Sequence, residues 1–395
     1  MVRAIESTST MPGRMVLPAL ALGSFITTLT FAASAPFLTD ISRDLDVGVP
    51  LLGQIAATML IVSAPLGLVA GPLADRYGPR RLILLGLAAA AACLLLFGTA
   101  PSFWVLFVAA SVGAFAEATV PGLSLAIAGT RFTGPASRKA IGWIIGALAS
   151  APIVGVPILT TIGGVGGWRA AFLVAGGAAV VIVVLVSAWL PPDAVHPDDV
   201  LRFRTLLRAY QPLLHDVGMR RLFACSVLRS LCFVGLITYL GAVLRDRFAL
   251  TTSETGPVYM VAGAGYFFGS LVAGGPFARL PARPQVAIGN VAMALLLMVV
   301  FSAWLDTAVT VGVLALAGAA AAIGWVGLTA LMTSETPAGA GTTMVLNGAL
   351  FNLGAAAGTA IGGVLLAVGG FSALAVGLPV IGVGSALCLW SRQST

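Results

Sequence analysis

The sequence predicts an all-α membrane protein with twelve transmembrane helices in two pseudo-symmetric halves of six. Three observations carry this reading. First, 59% of the 395 residues are hydrophobic and 9% are charged, against roughly 25% charged in an ordinary soluble domain. That much apolar surface must face lipid. Second, twelve apolar runs approach the ~20 residues that a spanning helix needs. Third, the chain echoes itself. The hinge from Gly71 to Arg81 (GPLADRYGPRR) returns in degenerate form from Gly275 to Gln285, 204 residues later. Gly167–Phe172 returns at Gly370–Leu374, with an offset of 203.

The runs are placed at about 15–39, 50–73, 82–100, 103–129, 138–162 and 169–190, then at 220–244, 254–276, 285–304, 307–333, 343–367 and 372–390. The halves are therefore 1–190 and 220–395, joined by a cytoplasmic linker at 191–219. The first run contains Ala33-Ser34-Ala35, which mimics a signal-peptidase site. Cleavage is not expected there, because the run exceeds a typical signal core and eleven spans follow it. A porin-like barrel is excluded, since its strands alternate apolar and polar residues over ~10 positions. The 48 glycines suit close packing of helices in lipid.

The net charge of +7 is a topology signal and not a nucleic-acid patch. With the N-terminus in the cytoplasm, cytoplasmic segments hold sixteen Lys/Arg and external loops hold four: Arg43, Arg169, Arg245 and Arg247. The positive-inside rule then places both termini in the cytoplasm. In a bacterial cell this means the inner membrane. Near the linker's end, Arg202, Arg204, Arg208 and Tyr210 form a basic amphipathic piece suited to lipid phosphates.

Both histidines, His196 and His215, fall in the linker, which excludes a histidine proton relay within the membrane. The four cysteines (Cys93, Cys225, Cys232, Cys388) lie within spans and read as small packing residues. No metal, cofactor or nucleic-acid site is expected. There is no phosphate loop, nucleotide fingerprint or Ser/His/Asp pattern, so an enzyme is the least favoured class.

The hinge Gly71–Arg81 resembles the loop 2–3 signature of the major facilitator superfamily, G-x-L-A-D-R-x-G-R-K, with Pro79 where a basic residue is usual. Ala151-Pro-Ile-Val-Gly155 resembles the family's G-P-x-x-G-G antiporter motif, with Ala151 and Val156 replacing two glycines. The stretch from Asn347 to Gly363, with Gly354, Gly358, Gly362 and Gly363, resembles the eleventh helix of the drug-and-metabolite proton antiporter branch. The resemblance covers the whole chain. It implies the major facilitator fold, alternating access, and a substrate site between the halves near mid-membrane.

The same resemblance implies gating roles for Gly71, Asp75, Arg76, Gly78, Arg80, Pro152 and Gly155. The family's counterpart of Asp75 faces the start of the eleventh helix, where unpaired N–H groups favour a negative charge. With ion pairs to Arg131 or Arg138, it would latch the cytoplasmic side. The plainer alternative is a topology anchor. The echo has Arg279 where Asp75 predicts an acid, and Ala340 stands where relatives often have arginine. A latch would then be built from the first half.

Of fourteen acids, Glu117 alone lies near the middle of a span, on a face with Ala110, Gly113, Ala114, Pro121 and Ser124. An unpaired charge at the bilayer centre costs at least ~2.5–3.5 kcal/mol. Glu117 is accordingly expected to be protonated, paired or facing water. It is the candidate proton-coupling residue and a candidate substrate contact; the alternative is a neutral acid bonded to a neighbouring helix. Relatives usually have glycine there and an arginine eight residues earlier, where this chain has Ala109. Arg229, in span seven, is expected either to snorkel to the cytoplasm or to line the cavity, where it would pair with Glu117 or hold an organic anion.

Further substrate-binding candidates are Thr28 and Phe31, in a stripe with Ser24 and Thr27, and Tyr239, Tyr266, Trp325 and Asn347; Tyr259 is weaker. The expected function is secondary active transport by a monomer. The favoured form is proton-coupled efflux of a small amphipathic or cationic organic molecule. The alternatives are a facilitator or importer of a small organic solute or anion held by Arg229, and a non-transporting sensor.

Overall fold

The computed structural model describes residues 11–132, 134–192, 210–274, 276–302 and 305–389. Most of the linker expected at 191–219 lies outside them. Among the described residues every regular element is helical. α1 (Met11–Ala32) passes through a 3₁₀ turn (Ala35–Phe37) into α2 (Leu38–Leu45). α3 (Val49–Tyr77), α4 (Pro79–Thr99), α5 (Phe103–Arg131) and α6 (Gly134–Ser150) follow, and a π-helical turn (Ala151–Gly155) joins α6 to α7 (Val156–Trp189). The rest of the chain forms α8 (Val217–Phe248), α9 (Thr252–Gly274), a 3₁₀ turn (Pro276–Arg279), α10 (Ala282–Ser302), α11 (Thr307–Ser334) and α12 (Ala340–Leu387).

Helix starts follow local chemistry. Asp216 caps α8 by accepting from the Met219 N–H at 2.7 Å, and Asp306 caps α11 by accepting from the Ala308 N–H at 3.0 Å. A carboxylate there satisfies donors that the helix itself cannot. In the π-helical turn, Pro152 carries no N–H, and the Val156 N–H reaches back five residues to the Ala151 carbonyl.

Among the described residues, ten helical rods are long and apolar enough to cross a membrane. Two of them double back at glycines. In α7, Gly167 adopts φ 80°, which costs a residue without Cβ little. Before it, Gly155 lies against Leu29 and Gly163 against Phe37, so the chain ascends beside α1. After it, Leu173 meets Gly98, Gly176 meets Leu95, and Ser187 and Leu190 offer carbonyls to Arg80. The second stretch thus descends along α4. In α12 the break is at Gly369 and Gly370. Gly358 lies against Leu231 and Gly382 against Cys232, neighbours on α8. On a straight helix those two glycines would be ~36 Å apart. Divided at these breaks, the ten rods become twelve.

Glycine sets the closest approaches. A Cβ on Gly354 would lie 2.4 Å from the Val227 carbonyl oxygen, and one on Gly358 would lie 2.0 Å from that of Leu231. α8 and the first stretch of α12 therefore touch backbone to backbone. Tyr239 closes the same seam: its ring lies against Gly53, Gly362 and Gly363, and its hydroxyl donates to the Thr359 carbonyl at 2.8 Å. α3 joins the group through Gln54, whose amide donates to the Ala360 carbonyl at 3.3 Å.

Gly354→Ala and Gly358→Ala are each expected to destabilise the protein by ~1–3 kcal/mol, because the added methyl forces the helices apart. Gly348→Ala, where a methyl meets nothing within 4 Å, should leave stability unchanged or slightly raised. Heat-induced loss of monodisperse protein in detergent, compared across the three variants, reads this out.

Candidate functional site

The depth of each candidate follows from contacts that cross the bundle. On α5, Gly86 of α4 faces Thr119 and Gly23 of α1 faces Val120, with a would-be Cβ of Gly23 3.5 Å from that valine. Glu117 and Ser124 lie one turn either side of Val120 on the same helix face, and Val120 itself meets both α1 and α4. Glu117 is part-buried, and its Oε2 is buried with no hydrogen-bond partner. Ser124 Oγ and Ser24 Oγ are also buried and unpartnered. More than nine-tenths of buried polar groups in folded proteins have a partner, so this patch is chemically poised.

Arg229 is 2% exposed and does not snorkel. It donates from Nη2 to the Ala321 carbonyl of α11. Its guanidinium carbon lies 5.3 Å from the Trp325 ring centre and 6.0 Å from that of Phe233, a cation–π arrangement. The Tyr266 phenol is a hydrogen-bonding neighbour. Phe233 packs on Tyr266 at 6.3 Å and Trp325 on Phe351 at 5.4 Å. Arg229 Nε is left without a partner.

A chain of contacts links the helices that carry the two charges. Ala118, beside Glu117, faces Gly67 of α3 at 3.9 Å. One turn before Gly67, Ser63 accepts from the Asn352 amide at 3.0 Å. Gly354 in turn lies on Val227 and Ser230, which bracket Arg229. Glu117 and Arg229 form no ion pair among the described residues. The pairs found among the described residues are Asp44–Arg169, Asp40–Arg245 and Arg283–Glu335. The pairing of Glu117 with Arg229 that the sequence allowed is replaced by a carbonyl and aromatic rings.

The other predicted residues divide. Tyr266 and Trp325 flank Arg229. Asn347, 1% exposed, has an unpartnered Oδ1; the partner expected for its amide oxygen is missing. Thr28 is part-buried, and Phe31 packs on Leu60, Ala355 and Ala356. Tyr239 is fully buried, with its ring and hydroxyl both committed to the α3–α8–α12 seam, because facing glycines leave a slot its size. Tyr259 accepts from the Gly241 N–H at 3.0 Å and is likewise structural.

At the hinge, Gly78 (φ 89°) makes the turn between α3 and α4. Arg76 is exposed and lies over Tyr77 at 5.2 Å. Arg80 donates to the carbonyls of Leu190 and Ser187, both at 2.7 Å. The hinge is therefore tied to the end of α7. The side chains of Asp75 and Arg138 lie outside what is described. A Cβ on Gly71, Gly339 or Gly341 would meet nothing within 4 Å, and Ala340 is exposed, so the hinge and the start of α12 stand apart at these positions. Pro152 and Gly155 form the π-helical turn, whose Ile153 seats against Gly263 of α9.

The opposite end of the bundle is fastened. Asp40 of α2 pairs with Arg245 of α8 at 2.7 Å and accepts from Thr252 at 2.6 Å. Arg245 also donates to Thr252 at 3.0 Å. Sequence reasoning missed this cluster, yet Asp40 and Arg245 are 205 residues apart, almost the repeat offset. Laying one half's charges over the other's would have found it.

Residues 20–346 match the Major Facilitator Superfamily. The chain belongs to this family of membrane transporters. It is 30% identical over 276 residues to the chloramphenicol resistance protein of Streptomyces lividans, covering 66% of this chain and 68% of that one. It is 24% identical over 253 residues to the uncharacterized transporter YceJ of Bacillus subtilis (strain 168). That match spans 62% of each chain. Among solved structures, a bacterial homologue of the human lysosomal transporter Spinster, inward-facing and unoccupied, aligns with a TM-score of 0.74 at 15% identity, over 96% of this chain and 95% of that one.

The Asp40–Arg245 pair is mostly shielded, with side-chain exposures of 23% and 11%. Asp40→Asn and Arg245→Gln are each expected to lower the apparent stability of the purified transporter. The double variant should be little worse than either single, giving a coupling of ~1–2 kcal/mol in a double-mutant cycle.

Proposed function

We propose that this transporter is a proton-coupled exporter of a small amphipathic organic molecule, with Glu117 as the proton carrier. The observation that carries the reading is Glu117 itself: part-buried within α5, with Oε2 unpartnered and in no ion pair among the described residues. A carboxyl group with no fixed partner is free to exchange its proton for a substrate contact. The resistance-protein relative from Streptomyces lividans supports export. The buried guanidinium of Arg229, in no ion pair among the described residues, favours an uncharged or acidic cargo over a cationic one.

On this reading residues 1–190 and 220–395 rock against each other, with the hinge end in the cytoplasm of a monomer held in the inner membrane. The Asp40–Arg245–Thr252 cluster then closes the external side in a cytoplasm-facing state. Asp75 and its neighbours would latch the cytoplasmic side in the other state. Thr28, Phe31, Tyr266, Trp325 and Asn347 are the remaining substrate contacts we favour. A second reading, a facilitator or importer of an organic anion, draws on the unpartnered Nε of Arg229.

In proteoliposomes carrying an imposed pH gradient, Glu117→Gln should abolish substrate-dependent proton movement while the protein remains folded and monodisperse. Undiminished coupling in that variant would exclude Glu117 as the carrier. A wild-type protein that equilibrates substrate without responding to the gradient would favour the facilitator.

A further inference from the structure

The two halves touch along two antiparallel seams, and the seams end at different depths. In one, the first stretch of α7 faces α9. Added Cβ atoms on Gly164, Gly256 and Gly263 would lie 3.1 Å from Ser253, 2.9 Å from Pro157 and 2.7 Å from Ile153. These pairs step along the two helices in opposite directions at one rate, which fixes the register. In the other seam, α3 faces the first stretch of α12. Gly363 lies against Pro50, Gln54 donates to the Ala360 carbonyl, and Asn352 donates to Ser63. Leu68 still packs on the cluster that holds Leu346. Both seams begin at the end fastened by Asp40, Arg245 and Thr252. From there the α3–α12 contacts extend along ~27 Å of helix, from Pro50 to Leu68, but the α7–α9 contacts only ~16 Å, from Gly164 to Ile153.

Beyond Ile153 the shorter seam parts. Continued at the same register, it would set Gly146 of α6 opposite Ser270 and Gly142 opposite Gly274. Instead, a Cβ on Gly142, Gly146 or Gly274 would meet nothing within 4 Å. Phe267, one turn past Gly263 on the same face of α9, is 42% exposed. The lips of the gap are apolar, with Trp143 and Ile145 exposed on α6 and Phe268 and Leu271 exposed on α9. Residues 140–150 and 255–274 include no charged side chain. Wetting such surface costs roughly 25 cal/mol per Å², so the gap suits lipid and lipid-soluble molecules better than water. At its depth on α9, Tyr266 precedes Phe267 in the chain and packs on Phe233 at 6.3 Å, beside Arg229.

We infer that the parted seam between α6 and α9 is a lateral portal, through which an amphipathic cargo dissolved in the leaflet at the hinge end reaches the aromatic residues around Arg229. The inference rests on the export reading and deepens it: the cargo is taken from lipid, and strongly hydrated solutes are not its class. The π-helical turn marks the top of the portal, because Ile153 makes the last contact before the helices separate.

The test follows the route with two thiol reagents and needs no knowledge of the cargo. Phe233→Cys is placed in full-length protein whose four native cysteines are replaced by serine, in lipid nanodiscs. N-(1-pyrenyl)maleimide partitions into lipid, whereas 2-sulfonatoethyl methanethiosulfonate stays in water. The maleimide should label Phe233→Cys, and adding Gly146→Trp, which fills open space, should slow that labelling about 10-fold, as a raised entry barrier does. The aqueous reagent's rate should not change. Leu85→Trp, on an exposed face of α4, should leave both rates as they were. Absent labelling from lipid, a rate indifferent to Gly146→Trp, or equal slowing of both reagents would overturn the portal. The outcome is separable from proton coupling: if Glu117→Gln keeps its proton movement while the labelling results hold, the coupling reading falls and the portal stands.

Discussion

Backbone contact at glycine is the constraint on which this structure depends. Lipid is as apolar as leucine, so helices in a membrane gain little by hiding apolar side chains from it, and close van der Waals contact must hold them instead. The α8–α12 seam supplies that contact through Gly354 and Gly358, where even a methyl group would collide with a carbonyl of α8. The same closeness aligns α8, α11 and α12, and so sets the depth of Arg229, Trp325 and Asn347. Tyr239, wedged against Gly53, Gly362 and Gly363, carries the alignment across to α3. The geometry of the polar centre is thus a product of residues that have no polar chemistry at all.

Against that frame the buried polar groups fall into two kinds. Asn352 and Gln54 are spent on joining helices, and the Asn290 amide donates to Ser385 at 3.0 Å while its Oδ1 stays unpartnered. Glu117, Ser24 and Ser124 in one half, and Ser226, Arg229, Thr329 and Asn347 in the other, are left with unpartnered atoms. Leaving such groups unsatisfied costs stability, and proteins tolerate that where a site must stay ready for something else. The acid lies in one half and the guanidinium in the other. On the proposed reading, a molecule held between them would meet different chemistry at its two ends.

Much of this was legible in the sequence. The apolar runs, the hinge and the repeat offset indicate the helical membrane fold and its doubling. The scarcity of charge within spans singles out Glu117 and Arg229. What the sequence could not convey was rotation and contact. The three tyrosines and one tryptophan proposed for binding look alike in a hydrophobic run, yet Tyr239 and Tyr259 are locked into seams while Tyr266 and Trp325 surround a guanidinium. Ser226 and Thr329 gave no signal, because a hydroxyl in a membrane helix usually bonds to its own backbone, as Thr27 does with the Gly23 carbonyl. The hinge was recognisable as a motif, but its arginine at position 80 turned out to grip α7 within the same half.

The π-helical turn at Ala151–Gly155 has a mechanical consequence. One wider turn in an otherwise α-helical rod puts the stretch above it out of phase with the stretch below. α6 can therefore keep its face on α1 while α7 offers a different face to α9, and Ile153, inside the turn, sits at the junction. Sliding of that extra residue by one position would rotate one stretch relative to the other without breaking the rod. A turn with that freedom would act as a slip joint, at the place where α1, α6, α7 and α9 meet.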